Sequence, residues 1–469
     1  MKVKVVSLVA AAVLAGAGFA GEKSSLAWRG VHLDEARHFF GKETVKRVLD
    51  RMAENGLNVF HWHLVDDQGW RIQIDRYPNL VKRGAVRRII PRKDSPQPYW
   101  KEKTETGTYG PYFYTKDDIR EIVAYAHARK IKVVPEIEIP GHETAACAAY
   151  PELSCFPESL KGEDTFMHPS WRTKAVGKRV FCLGKESTYE FLENVLDEVC
   201  ALFPDEYVHL GGDETPIWNW KACTNCQARI RAKGLKDEPA LKLAAMKRFA
   251  DYVIAKGKRP VVWDDAAGEG LPKETVVMIW HEPEDAVRAI AAGHDVVMTP
   301  NKDCYLDHAE HPTPDRVAAF DPLAAVPAEM RAHVLGAQCC NWTEGTLDGE
   351  ELLAKMWPRA MAFGTAAKTA VLAAAEFEKY ARQLTGREAP KASYAIDPTL
   401  EAAHDEYRVV SEGQGLRFVG SNDRALLYAV YDFLERKCGC RWFWDGDVVP
   451  RLEKIPCVGV DIREKSRFE

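Results

Sequence analysis

Short apolar runs rich in β-branched residues alternate with longer amphipathic stretches from Trp28 to about Ala366. Eight of the short runs predict β-strands, and the amphipathic stretches between several of them predict helices. The predicted strands are residues 28–33, 58–64, 132–138, 207–211, 259–263, 275–280, 295–299 and 334–341. The predicted helices are residues 43–55, 116–129, 187–202, 241–256 and 283–292. This alternation predicts an α/β fold, a (β/α)8 TIM barrel of about 340 residues.

The composition is that of a globular protein. Hydrophobic residues make up 46% of the chain and charged residues 28%, which excludes a disordered or collagen-like protein. The formal net charge is −5, and no long run carries charges of one sign. We therefore expect no nucleic-acid partner.

The first twenty residues have the pattern of a secretory signal. Lys2 and Lys4 precede an apolar run over residues 5–19, and Gly18 and Ala20 place small residues at positions −3 and −1 of a cleavage site. We expect export to the periplasm or the extracellular space, with a mature chain that starts near Gly21. The alternative is a tethered N-terminus. No later stretch reaches about 18 uninterrupted apolar residues, so no membrane span is expected.

The composition changes after Ala366. An alanine-rich helix is predicted over 366–384, followed by a proline-containing linker, strands over 407–411 and 416–420, and a helix over 423–437. The aromatic cluster Trp442-Phe443-Trp444 comes next. We expect a signal peptide at 1–20, a barrel at 21–366 and a small α/β accessory domain at 367–469.

The twelve cysteines raise the question of disulfides or a metal site. Cys155 and Cys182 flank one long loop, and Cys223 and Cys226 lie in another. A zinc site needs a second close ligand pair, and the sequence places none near Cys223. Disulfides or free thiols are therefore expected, with no metal site and no cofactor.

Polar and aromatic residues stand where each predicted strand ends. In a barrel of this type the carboxyl ends of the strands form the active-site face. The residues are Asp34; His63, Asp66 and Asp67; Glu136, Glu138 and His142; Asp213 and Glu214; Trp263, Asp264 and Asp265; Trp280, His281 and Glu282; Tyr305 and Asp307; and Trp342 and Glu344. A full ring of such residues predicts a functional site at that face.

Two adjacent carboxylates, Asp213 and Glu214, follow the fourth predicted strand. Successive strand residues face opposite sides, so two neighbours share a pocket only where the strand ends. Gly211 and Gly212 give the backbone that freedom. Such a pair can divide the roles of proton donor and anion, as the cleavage of a glycosidic bond requires. The alternative is a solvated loop, the commoner setting for an Asp-Glu pair.

Five motifs stand in order along the barrel segment. They are Arg29-Gly-Val-His-Leu-Asp34 with Arg37-His-Phe, His61-Trp-His-Leu-Val-Asp-Asp-Gln-Gly-Trp-Arg71, Pro135-Glu-Ile-Glu-Ile-Pro-Gly-His142, His209-Leu-Gly-Gly-Asp-Glu214 and Asn341-Trp-Thr-Glu344. Together they resemble the family 20 glycoside hydrolases, the β-N-acetylhexosaminidases. That family is an exception to two-carboxylate catalysis, because the substrate supplies its own nucleophile.

The resemblance implies catalytic roles for Asp213 and Glu214. Glu214 would be the general acid and then the base, in an enclosed site. Asp213 would hold the N–H of the substrate's acetamido group, so that its carbonyl oxygen attacks C1 and forms an oxazolinium ion. The implied substrates are glycans or oligosaccharides that end in GlcNAc or GalNAc.

The resemblance also implies a substrate pocket. Trp263, Trp280 and Trp342 would wall it, and Tyr305 would hydrogen-bond the acetamido group. Arg29, Asp307 and Glu344 would bind ring hydroxyls, and His142 and Asp67, with Asp66, would orient the acid. Arg29 could instead form a salt bridge at a strand end. His61 and His63 alternate around Trp62, so at most one is expected to face the pocket, and Trp62 and Trp70 are expected to pack in the core.

Two features depart from the family pattern. Glu138 stands where many relatives have Asp. In the last hundred residues, the segments 374–386 and 420–442 resemble the non-catalytic N-terminal domain of α-glucuronidases, which there precedes a barrel. We expect this segment to pack as an accessory domain without catalytic residues.

Three other functions stay open from the sequence. One is a catalytically silent carbohydrate-binding protein on the same barrel. Another is a metal-dependent amidohydrolase, suggested by His61-x-His63, although that class requires an Asp after the eighth strand, where this chain has Asn341-Trp-Thr-Glu344. An α-glucuronidase would rest on the C-terminal segment alone.

Overall fold

The computed structural model describes residues 27–89, 101–104, 106–160, 180–307, 312–397, 399–401, 404–443 and 446–465. The predicted signal peptide lies outside the described residues, as does Trp444. The chain divides into two compact units, Trp28–Thr365 and a second that begins at Ala366. Within the described ranges, no helix has the length and apolar character needed to cross a membrane.

The first unit is a closed barrel of eight parallel strands, which confirms the predicted fold. The strands are β1 (Trp28–Asp34), β2 (Val59–His63), β3 (Lys132–Glu136), β4 (Tyr207–His209), β5 (Arg259–Trp263), β6 (Val276–Ile279), β7 (Asp295–Met298) and β8 (Val334–Cys339). Each strand pairs with its neighbours in chain order, and β8 closes on β1. Two short antiparallel pairs lie in the loops, Val65–Asp66 with Gly69–Trp70 and Arg87–Arg88 with Thr108–Tyr109.

The α-helices between the strands include the five that the periodicity predicts. In this unit they are Lys42–Glu54, Asn79–Lys82, Lys116–His127, Thr144–Ala149, Glu186–Leu202, Trp218–Ala222, Thr224–Ala232, Glu238–Ala255, Asp285–Ala291, Asn301–Cys304, Pro314–Ala319 and Gly349–Met356. Short 3-10 turns occupy Pro151–Leu153, Pro157–Leu160, Asp264–Ala266 and Ala328–His333. The first helix buries Val45, Val48, Leu49 and Met52, which share one face at helical spacing.

Side chains of β2 show how the barrel is filled. Phe60 and Trp62 belong to the hydrophobic layer outside the strands, and the Trp62 ring packs against Tyr114. His61 and His63, two residues apart, both point inside the barrel, because alternate strand residues share a face. Both are fully buried, and the expectation that at most one of them faces the pocket stays a prediction. They lie at different heights along the barrel.

The second unit contains a four-stranded sheet. Its strands are β9 (Ala392–Ile396), β10 (Tyr407–Glu412), β11 (Gly415–Gly420) and β14 (Asp461–Glu464), in the order β9-β11-β10-β14. A separate antiparallel pair joins β12 (Arg441–Phe443) to β13 (Gly446–Val448). The helices are Arg359–Thr385, which starts in the first unit, and Asp423–Cys438. Phe377, Phe418 and Phe433 pack together in the core between helices and sheet.

Candidate active site

The strand register aligns polar residues at the carboxyl ends of the first four strands. Asp34 at the end of β1 is paired with His63 of β2, His63 with Glu136 of β3, and Glu136 with His209 of β4. Because these residues are lateral neighbours in a closed barrel, their side chains meet at one end. The loops that follow the same strand ends carry the other predicted site residues.

The turn after β4 presents both carboxylates of the Asp213-Glu214 pair. Gly211 and Gly212 have φ of 62° and 99°, and Glu214 itself has a φ of 36°. A Cβ on Gly211 would lie 1.9 Å from an oxygen of Glu138, so a side chain at that position would displace the Glu138 carboxyl. A non-glycine residue in the left-handed region stores backbone strain, a feature that clusters at functional sites.

His142 lies between the two carboxylates and a second acidic pair. Its Nε2 is 3.6 Å from Oδ2 of Asp213 and 3.7 Å from Oε2 of Glu214. Its Nδ1 is 3.4 Å from Oδ1 of Asp66 and 3.6 Å from Oδ2 of Asp67. The neighbours Asp213 and Glu214 thus reach the same imidazole nitrogen, and their side chains lie together.

The charge on His142 follows from these neighbours. Burial opposes the protonated ring, but Asp66 and Asp213 outweigh it and hold the His142 pKa well above its usual value. Asp66 is buried too, and the cations Arg37 and His142 hold its pKa well below the usual range against that burial. Asp67 is fixed separately, since its Oδ1 accepts hydrogen bonds from the backbone N–H and the hydroxyl of Thr144 at 3.1 and 2.7 Å.

Asp213 and Glu214 differ in exposure. The Asp213 side chain is 14% exposed, whereas that of Glu214 is 58% exposed. The expectation of an enclosed site for Glu214 is therefore wrong for this structure. The reason is the sharp turn at 211–214, which directs Asp213 inward and leaves Glu214 at the mouth of the site.

One oxygen of Asp213, Oδ1, is a buried acceptor without a donor among the described residues. Burial raises the Asp213 pKa, His142 opposes that rise, and the negative charge of Glu136 adds to it. A buried acceptor of this kind favours a hydrogen-bond donor on whatever binds beside it.

Aromatic rings line the space next to Asp213. Trp263 at the end of β5 is buried, and its ring centroid is 6.1 Å from that of Trp342. Tyr305 lies 6.1 Å from Trp342 and is nearly parallel to Trp280 at 6.3 Å. Burial raises the pKa of Tyr305 well above its usual value, so its hydroxyl stays protonated. The structure therefore gathers the four predicted aromatic residues in one wall.

Glu344 and Asp307 lie beyond this wall. The Glu344 side chain is 16% exposed and lies 3.9 Å from Nε of Arg37. Burial raises the Glu344 pKa to about 7, with Arg37 opposing the rise and Asp34 adding to it. Asp307 follows β7 and is close enough to add its charge to that of Glu344.

Arg29 does not belong to the site, contrary to the sequence-based prediction. It lies at the start of β1, about 16 Å of extended chain before Asp34 at ~3.3 Å per residue. Its Nε donates to the carbonyl oxygen of Gly56 at 2.8 Å, in the connection that leads into β2. Arg29 therefore lies at the opposite face of the barrel from Asp213 and supports the fold there.

Arg37 is the arginine that the structure brings to the site. It follows the end of β1, and its Nη2 lies 2.7 Å from Oδ2 of Asp66. Its guanidinium carbon is 4.9 Å from the ring centroid of Trp342. Asp34 fixes this segment through hydrogen bonds from the N–H groups of Ala36 and Arg37 at 2.9 and 3.1 Å. The rule that site residues follow strand ends would have selected Arg37 over Arg29.

Sequence reasoning also missed the role of Glu136 at the centre of the barrel. Nε1 of Trp263 donates to Oε1 of Glu136 at 2.7 Å, and Nδ1 of His63 and Nδ1 of His209 lie 2.5 and 3.0 Å from its oxygens. Despite burial, His209 and His63 hold the Glu136 pKa well below its usual value. His63 continues to Asp66 at 3.1 Å. This network fixes the Trp263 ring and links it to the groups around His142.

Glu138 is a buried carboxyl beside this network. Neither of its oxygens has a hydrogen-bond partner among the residues that the structure describes. Burial, with the negative charges of Asp213 and Glu136, raises its pKa well above the usual value. Glu138 is therefore shifted towards its neutral form beside these charged groups.

Among the described residues, several groups of His, Cys, Asp and Glu are close enough to hold a metal ion, including Asp66, Asp67 and His142. The histidines inside the barrel form such groups around Glu136, but they are already engaged with its carboxylate. Cys155, Cys182, Cys223 and Cys226 form a separate group. The expectation that no second ligand pair lies near Cys223 was wrong. Cys155 and Cys182 are distant from Cys223 in sequence, but folding brings their loop next to that of Cys223 and Cys226.

Comparison with known proteins agrees with this geometry. The model of "Glycosyl hydrolase family 20, catalytic domain" matches residues 26–369. A β-hexosaminidase of Porphyromonas gingivalis is 38% identical over 378 residues, which cover 77% of this chain and 45% of that protein. A β-hexosaminidase of Akkermansia muciniphila is 34% identical over 366 residues, covering 74% of this chain and 70% of that protein.

Solved structures give the same result. The family 20 exo-β-N-acetylglucosaminidase of Vibrio harveyi, in complex with N-acetylglucosamine, superposes with a TM-score of 0.63 at 32% identity and covers 73% of this chain and 54% of that one. A β-N-acetylhexosaminidase of Bacteroides fragilis gives 0.61 at 32% identity, with 73% and 66% covered. The chain spans about half the length of the Porphyromonas relative. With the family model matched across the whole barrel, the chain belongs to glycosyl hydrolase family 20.

Proposed function

We propose that this glycoside hydrolase is an exo-acting, retaining β-N-acetylhexosaminidase. It removes terminal GlcNAc or GalNAc from glycans or oligosaccharides by substrate-assisted catalysis. The observation that carries the proposal is the arrangement of Asp213 and Glu214 around Nε2 of His142, with Oδ1 of Asp213 buried and accepting no hydrogen bond from the described residues.

Asp213 is the group that positions the nucleophile. Its buried oxygen accepts the N–H of the substrate's 2-acetamido group, which turns the acetamido carbonyl oxygen towards C1. That oxygen attacks C1 as the glycosidic bond breaks, and the product is an oxazolinium ion whose positive charge lies beside the Asp213 carboxylate. An attack within one bound molecule gains from proximity, worth ~7–11 kcal/mol in the best cases.

Glu214 is the group that moves the proton. As the bond breaks, its carboxylic acid gives a proton to the departing glycosidic oxygen. The leaving group then departs through the mouth of the site, where the exposed Glu214 side chain lies. A water molecule next gives its proton to the Glu214 carboxylate and attacks C1, which reopens the oxazolinium ring and restores the acetamido group. Two displacements at C1 retain the anomeric configuration.

The surrounding residues bind the sugar and exclude water. Trp263, Trp280 and Trp342 offer apolar faces to the C–H groups of a pyranose ring, and the Tyr305 hydroxyl donates to the acetamido oxygen. Glu344, Asp307 and Arg37 bind ring hydroxyls by charge-assisted hydrogen bonds. Arg37 takes the role that the sequence assigned to Arg29, because only Arg37 lies at this face.

The proposal also assigns roles to residues 1–20 and to the unit that begins at Ala366. Residues 1–20 have the pattern of an export signal, so the enzyme acts in the periplasm or outside the cell. Every residue assigned to the reaction lies in the barrel unit. The unit that begins at Ala366 is an accessory domain, in keeping with its resemblance to the non-catalytic domain of α-glucuronidases.

Hydrolysis of 4-nitrophenyl glycosides tests this function. We expect release of nitrophenol from the N-acetyl-β-D-glucosaminide or the galactosaminide, and none from the β-D-glucoside, which lacks the acetamido nucleophile. Proton NMR should show the β-anomer of the free sugar first. A folded protein that binds N-acetylglucosamine in calorimetry but cleaves neither 2-acetamido substrate would instead be the silent carbohydrate-binding protein.

A further inference from the structure

Four cysteine sulfurs meet at a point outside the proposed catalytic site. The Sγ atoms of Cys182 and Cys223 lie 3.7 Å apart, those of Cys182 and Cys226 also 3.7 Å, and those of Cys155 and Cys226 3.8 Å. All four residues are buried, and their sulfurs lie within 4.8 Å of one another.

These distances fit one metal ion better than two disulfides. A disulfide joins its sulfurs at about 2.05 Å, far below the separations in this cluster. A tetrahedral zinc ion with Zn–S bonds of about 2.3 Å places its four sulfurs about 3.8 Å apart. The three separations given above match edges of such a tetrahedron.

The fold builds this cluster from three separate segments. Cys155 follows the 3-10 turn Pro151–Leu153, Cys182 follows Phe181, and Cys223 and Cys226 stand at the start of helix Thr224–Ala232. Gly184 lies where the segment of Cys182 packs against the segment of Cys226. A Cβ there would lie 2.2 Å from the carbonyl carbon of Asn225 and 2.3 Å from the nitrogen of Cys226, so the two loops touch backbone to backbone.

We propose that Cys155, Cys182, Cys223 and Cys226 form a structural zinc site. Four thiolates are a soft, tetrahedral ligand set, and zinc in such sites has no open coordination position. The ion would therefore hold segments together and take no part in the chemistry on the sugar. The Cys-x2-Cys spacing of 223 and 226 supplies one ligand pair, and the two ends of the 156–181 segment supply the other.

The same segments support both loops of the proposed catalytic site. The N–H of Phe181, next to Cys182, donates to the carbonyl oxygen of Pro140 at 3.0 Å, two residues before His142. Nε1 of Trp220 donates to the carbonyl oxygen of Phe181 at 2.8 Å. Trp220 lies on the stretch between Glu214 and Cys223. The zinc ion is thus expected to brace the loops of His142 and Glu214, as a positioning element.

Metal content of the full chain tests the site directly. The protein is purified under reducing conditions, with zinc in the growth medium, and its metals are measured by mass spectrometry. We expect about one zinc per chain, as in closed tetrathiolate sites. After exchange of zinc for Co²⁺, the protein should show the intense visible bands of a tetrahedral cobalt–thiolate centre. Neither measurement depends on hydrolase activity.

A variant pair distinguishes the cluster from other thiols. Cys226→Ser removes the sulfur that contacts both Cys155 and Cys182, and zinc should fall well below stoichiometric amounts. Cys200→Ser changes a half-buried cysteine on helix Glu186–Leu202 and should keep zinc at the wild-type level. If Cys226→Ser does not fold, the zinc content and cobalt spectrum of the wild type still decide the matter.

Three results would overturn the proposal. The first is a metal-free protein with disulfides among these four cysteines in peptide mapping. The second is a folded, metal-free protein whose four thiols all react with an alkylating reagent under reducing conditions. Stoichiometric iron at the same sulfurs would refute the choice of zinc.

Discussion

Replacing Asp213 with asparagine tests the role of its charge. The change keeps the side-chain size and removes one negative charge from a group that is 14% exposed and lies 3.6 Å from His142. The new amide could still accept a hydrogen bond from the acetamido N–H, but it could not offset the positive charge of the oxazolinium ion. Loss of one preorganised stabilising group in a water-poor site costs about 2.7–4 kcal/mol, or about 10²–10³ in kcat.

The assay compares kcat and KM for 4-nitrophenyl N-acetyl-β-D-glucosaminide. We expect Asp213→Asn to lower kcat by that factor and to change KM much less, because the charge matters most once the oxazolinium ion forms. Glu138→Gln is the matched control. It makes the same carboxyl-to-amide change at a neighbouring carboxyl whose pKa burial raises well above its usual value. Wild-type kcat in Asp213→Asn would refute the reasoning.

Three further predictions concern other parts of the barrel. Arg37→Lys loses the planar guanidinium contact with Asp66 and should lower kcat/KM at least about tenfold. Arg29→Lys, at the opposite face of the barrel, should leave kcat/KM unchanged. Equal losses in the two variants would contradict the placement of Arg37 in the site. Glu214→Gln should slow glycosides with poor leaving groups by about 10²–10⁴ and spare a dinitrophenyl glycoside, and a uniform loss would argue against an acid role. Burial raises the pKa of Glu35 from 4.5 in the unfolded chain to about 8 in the folded protein. The folded state therefore binds this proton more tightly, and the free energy of unfolding falls as pH rises from 4.5 through 8. Glutamine cannot lose a proton, so the melting temperature of Glu35→Gln minus that of the wild type should increase as pH rises from about 5 to about 8.5. A difference that stays constant over this pH range would contradict the argument.

The barrel could be predicted from the sequence because its signals are local. Each strand is a short β-branched run, and each predicted helix has apolar residues at helical spacing, so strand and helix bounds came within a few residues. The rule that functional residues follow strand ends then located Asp213, Trp263, Tyr305 and Trp342 at one face. The same rule selects Arg37, which follows the end of β1, whereas Arg29, which the family resemblance implies, precedes it.

Other features depend on contacts that the sequence does not display. Cys155 and Cys226 are separated by 71 positions, and only the folded loops bring their sulfurs together. The exposure of Glu214 depends on the φ of 36° at that residue, which a side-chain pattern does not reveal. In the sequence Glu136 is one carboxylate among many, whereas in the barrel the rings of Trp263, His61, His63 and His209 surround it.

The second unit was predicted less completely. The strands near 407–420 and the helix after Asn422 were expected, and Asn422 caps that helix through the N–H of Ala425. β9 and β14 were missed, because each is short and lies apart in sequence from the strand it pairs with. Helix Arg359–Thr385 also begins seven residues earlier than the alanine-rich run suggested.

The identity of the nucleophile is the central claim, and a series of fluorinated substrates tests it most directly. Fluorine atoms on the N-acetyl group of a 4-nitrophenyl glucosaminide withdraw electrons from the carbonyl oxygen without altering the leaving group. If that oxygen attacks C1, kcat should fall steeply and regularly from the acetyl through the monofluoro- and difluoroacetyl to the trifluoroacetyl compound. A kcat that stays constant along the series would show that an enzyme group or water attacks C1, and would contradict the account.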